Sequence, residues 1–150
     1  MATRRIETKT NGTIEIDERQ ILRFTAPILG FDNLTEYALL DYSRPPFYLL
    51  QSLEDSQIAF LLIDPCLFRP DYQPAPSRTD LEALGIQDPQ ELITLAIVTV
   101  PADHKQMTAN LQGPILINKR TQEARQIIST DERWRTKHKI LEEMAAARGA

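Results

Sequence analysis

The sequence predicts an all-β fold: a small closed or nearly closed β-barrel with one short helix and a C-terminal tail of high helix propensity. Three observations carry this. Two apolar runs of strand length, residues 47–53 and 58–63, flank the polar loop Glu54-Asp55-Ser56-Gln57, the pattern of a hairpin. Other short apolar or β-branched runs recur along the chain between brief turn signals. Many short strands joined by brief turns favour closure, which removes free strand edges.

The first unit is a hairpin, with Ile6-Glu7-Thr8-Lys9 and Thr13-Ile14-Glu15-Ile16 on either side of Asn11-Gly12. A two-residue turn at Asn11-Gly12 would send the isoleucines of the two strands to opposite faces. A three-residue loop with Gly12 left-handed instead pairs Lys9 with Thr13, Thr8 with Ile14 and Ile6 with Ile16. That gathers the apolar side chains on one face, although it sets Glu7 opposite Glu15. Residues 20–24 read as a third strand, stopped by Pro27 and the Leu29-Gly30-Phe31 turn, and 36–42 as a fourth. The central hairpin, residues 46–65, is apolar at nearly every position, so both of its faces are expected to be covered. Pro65, Pro70, Pro74 and Pro76 exclude a helix or a central strand there and send the segment over the surface. Residues 77–85 carry helix signals, with Thr79 as N-cap, Glu82 three positions later and Gly85 as the stop. Residues 92–100 are the longest β-branched run, 115–118 a shorter one, and 123–129 a last strand after the turn at 118–121. Beyond His138 a narrow apolar stripe of Ile140, Leu141 and Met144 marks the helical tail. The expected division is a barrel domain of residues 1–138 and a tail of 139–150.

A chain of 150 residues has the size of one domain and can bury a core without metal or disulfide staples. Cys66 is the single cysteine and no charged-then-apolar leader is visible, so a reducing cytoplasm is the expected compartment. No apolar stretch approaches the roughly 20 residues that cross a bilayer, and a soluble chain without a membrane partner is expected. The net charge of −4 is unevenly spread: residues 119–150 hold 8 basic and 5 acidic side chains, leaving 9 basic and 16 acidic for 1–118. The body is thus near −7 and the tail near +3. Carboxylates repel phosphate, which disfavours direct nucleic-acid binding by the body and favours a basic protein partner.

No nucleophile with its base, glycine-rich phosphate loop or metal-ligand set is visible, so no enzyme, cofactor or metal is expected. His104 reads as a solvated turn residue. Cys66 reads as a small buried or half-buried one, because with only His104 and His138 elsewhere no set of soft ligands is complete. Phe47, Tyr48 and Phe60 sit among leucines and isoleucines and read as core. Arg133, Arg135, Lys137 and Lys139 are interleaved with acids and read as a solvated face. Exposed, these aromatics and cations would instead make a nucleic-acid-binding β-barrel, with an affinity that falls steeply with salt. The best binding candidate is 107–114, where Thr108, Asn110 and Gln112 alternate with Met107, Ala109 and Leu111. That pattern gives a strand whose outward amides suit pairing with a partner. The bland counterpart is that Asn110 and Asn118 satisfy local turns. Gln51, Glu54 and Asp55 at the hairpin tip are second candidates, as a carboxylate pair that meets a cationic patch.

These blocks resemble the flagellar assembly factor FliW family. The resemblance rests on Gln51-Ser52-Leu53-Glu54-Asp55, the apolar strand ending Asp64-Pro65, and Thr108-Ala109-Asn110-Leu111 before Pro114-Ile115 and Asn118. Ile6-Glu7-Thr8, Gly12, Phe24, Pro27, Gly30-Phe31 and Arg125-Gln126-Ile127 extend it over residues 6 to 138. The tail beyond His138 and the Arg44-Pro45-Pro46 entry to the central hairpin depart from the family's pattern. The resemblance implies a non-catalytic β-barrel adaptor that binds flagellin and the RNA-binding translational regulator CsrA, relieving repression of flagellin mRNA. Flagellin is then the competing partner. On residue type and pattern, and not on the resemblance, the candidate contacts are Thr108, Asn110, Gln112, Asn118, Gln51, Glu54 and Asp55.

Overall fold

The computed structural model describes residues 2–149. Strands β1 (Thr3–Thr8) and β2 (Gly12–Asp17) make a separate two-stranded sheet. Strands β3 (Ile21–Ala26), β4 (Glu36–Asp41), β5 (Phe47–Ser52), β6 (Ala59–Ile63) and β7 (Leu92–Thr99) follow as antiparallel neighbours. After the short β8 (Thr108–Ala109), β9 (Ile115–Asn118) returns to β7, and β10 (Glu123–Gln126) pairs antiparallel with β9 and parallel with β3. The ring β3-β4-β5-β6-β7-β9-β10 is therefore a closed barrel of seven strands. Outside it lie β11 (His138–Lys139), which pairs with β8, and two helices, α1 (Arg78–Leu84) and α2 (Ile140–Gly149).

The pleat sends alternate side chains inward and outward, and both destinations are apolar here. Phe24, Tyr37, Leu50, Leu62, Leu95 and Ile117 are among the residues that fill the barrel. Three covers shield its outer surface. The β1–β2 hairpin lays Ile6 and Ile16 on Ala38, Leu40 and Leu49. The proline-rich segment and the C-terminal chain lay Phe68, Tyr72, Trp134 and Ile140 over Ile63, Ala96 and Val98. Helix α1 sets Leu84 on Leu116 and Ile127. On β5, Leu50 thus points into the barrel while Leu49 points under the hairpin, each burial contributing about 1.5–3 kcal/mol. This is why the central hairpin is apolar at nearly every position.

Several local expectations are corrected. In the first hairpin the loop has three residues and Gly12 is left-handed at φ 64°, but Ile6 faces Ile14 and Arg5 faces Glu15. The register is shifted by two, which preserves the apolar face and replaces the Glu7–Glu15 repulsion with an attraction. Thr8 fixes the loop, its hydroxyl donating to the Gly12 carbonyl at 2.8 Å and accepting from the Asn11 N–H at 2.9 Å. The strand expected over 123–129 ends at Gln126 and is not the last, since β11 follows it; beyond Gln126 the N–H groups of Ile127 and Ser129 donate to the carbonyls of Pro114 and Gln112. Cys66 is exposed, because Pro65 takes the buried position of their turn while Asp64 caps the Cys66 N–H at 3.0 Å. In α2, Ile140 is buried and Met144 packs on the outer cluster, but Leu141 faces solvent.

The N-cap of α1 is Ser77, whose hydroxyl accepts from the Asp80 N–H at 3.1 Å, and Thr79 lies inside the helix. Ser77→Ala is expected to cost about 1 kcal/mol of unfolding free energy in urea titrations, and Thr79→Ala less than about 0.5 kcal/mol. The reverse order would contradict this cap.

Candidate partner-binding surface

The chain from Thr108 to Asn118 runs along β7 in two pieces. Val98 faces Ala109 and Leu95 faces Ile115, so three steps along β7 are matched by six along its partner. The three extra residues leave the ladder between Asn110 and Pro114 as an outward turn. Asn110 holds its base: its backbone N–H donates to Ile97 at 2.9 Å and its Oδ1 accepts from the Gly113 N–H at 2.8 Å. A Cβ at Gly113 would lie 3.0 Å from Gln126 Nε2 and 3.1 Å from Asn110 Nδ2, so glycine lets the two amides close over the turn.

Gln126 ties this turn to a second one. Its Nε2 donates to the Gly113 carbonyl at 2.9 Å, while its Oε1 accepts from the Leu29 N–H at 2.7 Å. Leu29 is 81% exposed, and Ile128, two residues past Gln126 and beside Gln112 through the Ser129 N–H, is 61% exposed. These are the two most exposed large apolar side chains among the described residues. Leu29, Ile128, the Asn110–Gln112 turn and Gln126 therefore form one face, in which apolar groups stand beside amides.

The sequence candidates separate on this geometry. Thr108, Asn110 and Gln112 are half-buried and alternate with buried Ala109 and Leu111, as expected. The strand itself is shorter than predicted, only Thr108 and Ala109, and neither edge is open to a partner's backbone. Thr108 faces Thr99 of β7 on one side and Lys139 of β11 on the other, and the Arg135 carbonyl takes the Leu111 and Gln112 N–H groups. Gln51 and Asn118 are 0% exposed. Gln51 Oε1 accepts from Lys9 N–H at 2.9 Å and its Nε2 lies 3.0 Å and 3.1 Å from the Ser52 and Ser56 carbonyls, locking the β1–β2 loop to the β5–β6 loop. Asn118 donates to the Leu84 carbonyl at 2.7 Å and accepts from the Arg120 and Thr121 N–H groups. Both amides are spent internally and present no surface. Glu54 and Asp55 are exposed at the hairpin tip. Glu54 accepts from the Thr35 and Glu36 N–H groups at 2.6 Å and 2.8 Å; the Glu36 bond, then the Thr35 bond, hold its carboxyl below the usual range.

Leu29, Gln126 and Ile128 were not among the sequence candidates. Two signals point to them: Leu29 is a large apolar residue in a Pro/Gly-bounded turn, and Ile127-Ile128 is an adjacent pair whose side chains an extended chain sends to opposite sides, so that only one of them can join the cluster under α1. His104 is exposed, as expected, whereas Phe47, Tyr48 and Phe60 are half-buried against the clusters. Arg133 pairs with Asp131 at 2.8 Å, and Arg135 and Lys137 face solvent. No group of three His, Cys, Asp or Glu among the described residues could hold a metal ion. No helix among them is long and apolar enough to cross a membrane.

The architecture defines a class, the small closed β-barrel whose polar groups are largely consumed by its own loops. Comparison with known proteins narrows it. A family profile described as FliW protein matches residues 5–140. The chain is 43% identical to a flagellar assembly factor FliW of Treponema denticola over 142 residues, covering 95% of this chain and 97% of that one. It is 44% identical to that of Leptospira biflexa over 141 residues, covering 93% and 92%. A crystal structure of the flagellar assembly factor FliW superposes with a TM-score of 0.85 at 36% identity, covering 91% of this chain and 96% of that one. The chain belongs to the flagellar assembly factor FliW family.

Proposed function

We propose that this chain is a non-enzymatic, cytoplasmic adaptor that binds the translational regulator CsrA and antagonises its repression of flagellin mRNA, with flagellin as the competing partner. The observation that carries the reading is the pairing of family membership with one exposed apolar face, Leu29 and Ile128 beside Asn110 and Gln112. Apolar anchors set among amides are what a protein partner uses. Within the reading, Thr108, Asn110 and Gln112 contribute contacts from that face. Glu54 and Asp55 steer a cationic partner from the hairpin tip, and Gln51 and Asn118 act only by holding the loops in place. Residues 1–138 are the working barrel and 139–150 an accessory tail. Competition requires that flagellin and CsrA exclude each other from one surface, or that they favour different states of the adaptor, each binding its own state more tightly than the other.

The test uses purified chain, CsrA and flagellin in size-exclusion chromatography, with a gel shift on the flagellin leader RNA. Complex formation with CsrA, its loss on adding flagellin, and no shift of RNA by the chain alone are the expected results. Absence of a complex with both proteins would overturn the reading, and so would salt-sensitive capture of the RNA by the chain alone. The latter outcome would favour the nucleic-acid-binding alternative.

A further inference from the structure

Between the β4–β5 turn and the short turn that follows β6, a pocket of about 310 Å³ opens to solvent. It is lined by half-buried Tyr42, Phe47 and Tyr48, the two prolines of the turn and Leu67, and Asp41 and Asp64 are its acids. The register explains why the acids converge. Asp41 stands opposite Tyr48 and Tyr48 opposite Leu62, and Asp64 lies two residues beyond Leu62, so the pleat directs all of them to the same side. One oxygen of Asp64 accepts from the Cys66 N–H at 3.0 Å. The Cys66 thiol also meets the Asp64 carboxylate, neither Asp41 nor Asp64 has an ion pair among the described residues, and no lysine or arginine lines the pocket.

Two carboxylates without an ion-pair partner, on the side of the sheet that carries Tyr48, select a cation. A divalent metal is a poor fit, because it needs more oxygen ligands than these walls offer. A guanidinium fits both elements, since its flat face stacks on a ring and its edge meets carboxylates. The volume admits a single side chain rather than a cofactor, and the body near −7 attracts a basic protein. We propose that this pocket receives one arginine side chain of a basic protein partner, held between Asp41 and Asp64 against Tyr48. It is a contact separate from the face around Asn110, and it deepens the adaptor reading only in naming what a partner must present.

The test is an amide-resolved NMR titration of the full chain with N-acetyl-arginine methylamide. The neutral isostere N-acetyl-citrulline methylamide and the double variant Asp41→Asn, Asp64→Asn serve as comparisons; asparagine keeps the cap on Cys66. Expected are saturable shifts confined to residues 41–48 and 64–67, with affinity at least about tenfold weaker for the citrulline probe and for the double variant. Absence of saturable shifts overturns the proposal. So do shifts elsewhere, equal binding of the two probes, or a double variant that folds and binds as well as the parent. Because the probe contains no partner protein, its failure leaves the complex with CsrA standing, and failure of that complex leaves the pocket standing.

Discussion

Trp134→Ala is expected to lower the unfolding free energy by about 3–5 kcal/mol, the largest effect of any single substitution proposed for this chain. Trp134 is 2% exposed and at the centre of the outer cluster. The Tyr72 ring meets it edge-on at 4.7 Å, and its Nε1–H donates to the Gln73 carbonyl at 2.9 Å. The guanidiniums of Arg69 and Arg133 lie 4.8 Å and 4.9 Å from the ring. Removing the indole leaves a cavity, unpairs a backbone carbonyl and frees both the proline-rich segment and the chain running to β11. The loss should extend to His138, whose Nε2 accepts from the Arg135 N–H at 2.9 Å and whose Nδ1 faces Glu143 at 3.0 Å. Trp134 is the chain's one tryptophan, so urea unfolding has to be followed by circular dichroism. A loss below about 1 kcal/mol would mean that the 64–76 segment and the C-terminal chain dock on the barrel independently of this ring.

The double variant Leu29→Asp, Ile128→Asp is expected to weaken capture of at least one of CsrA and flagellin by about 30-fold or more. This corresponds to about 2 kcal/mol, while the unfolding free energy should stay within about 0.5 kcal/mol of the parent. The side chains are exposed, so charge there disturbs little of the fold, and the Leu29 backbone keeps its bond to Gln126. On a docking face the same carboxylates would be buried without partners, which is where the penalty arises. Titration calorimetry with each partner separately measures it. Parental affinity for both would remove this face from the account.

What could be read from the sequence was what depends on near neighbours. The central hairpin, its two-faced burial, the short helix and the course of the proline-rich segment all follow from residue type and spacing. The register of the first hairpin did not, because it is decided by Arg5 meeting Glu15 and by the Thr8 hydroxyl reaching Gly12, both finer than an apolar pattern. That the second edge of the strand at Thr108 is closed was not legible, because the chain that closes it, Arg135 to Lys139, lies far along the sequence. Gln51 and Asn118 resemble surface amides in composition, and only their carbonyl and N–H partners from distant loops mark them as internal. Trp134 carries no periodic context of its own; its role comes from Tyr72 and Arg69.

The parallel seam between β10 and β3 joins Glu123 to Arg23 and Ala124 to Phe24, partners separated by 100 positions. A ribosome adds residues from the N-terminus, so β3 and β4 emerge long before the strand that must sit beside them. Until residue 126 has cleared the exit tunnel, the interior between β3 and β9 has no wall on that side, and Phe24 stays in contact with water. Ring completion is therefore a late, topologically demanding event in biosynthesis, slow in the manner of folds dominated by distant pairings. Truncation before β10 should yield aggregating, chaperone-held chains rather than a smaller folded unit.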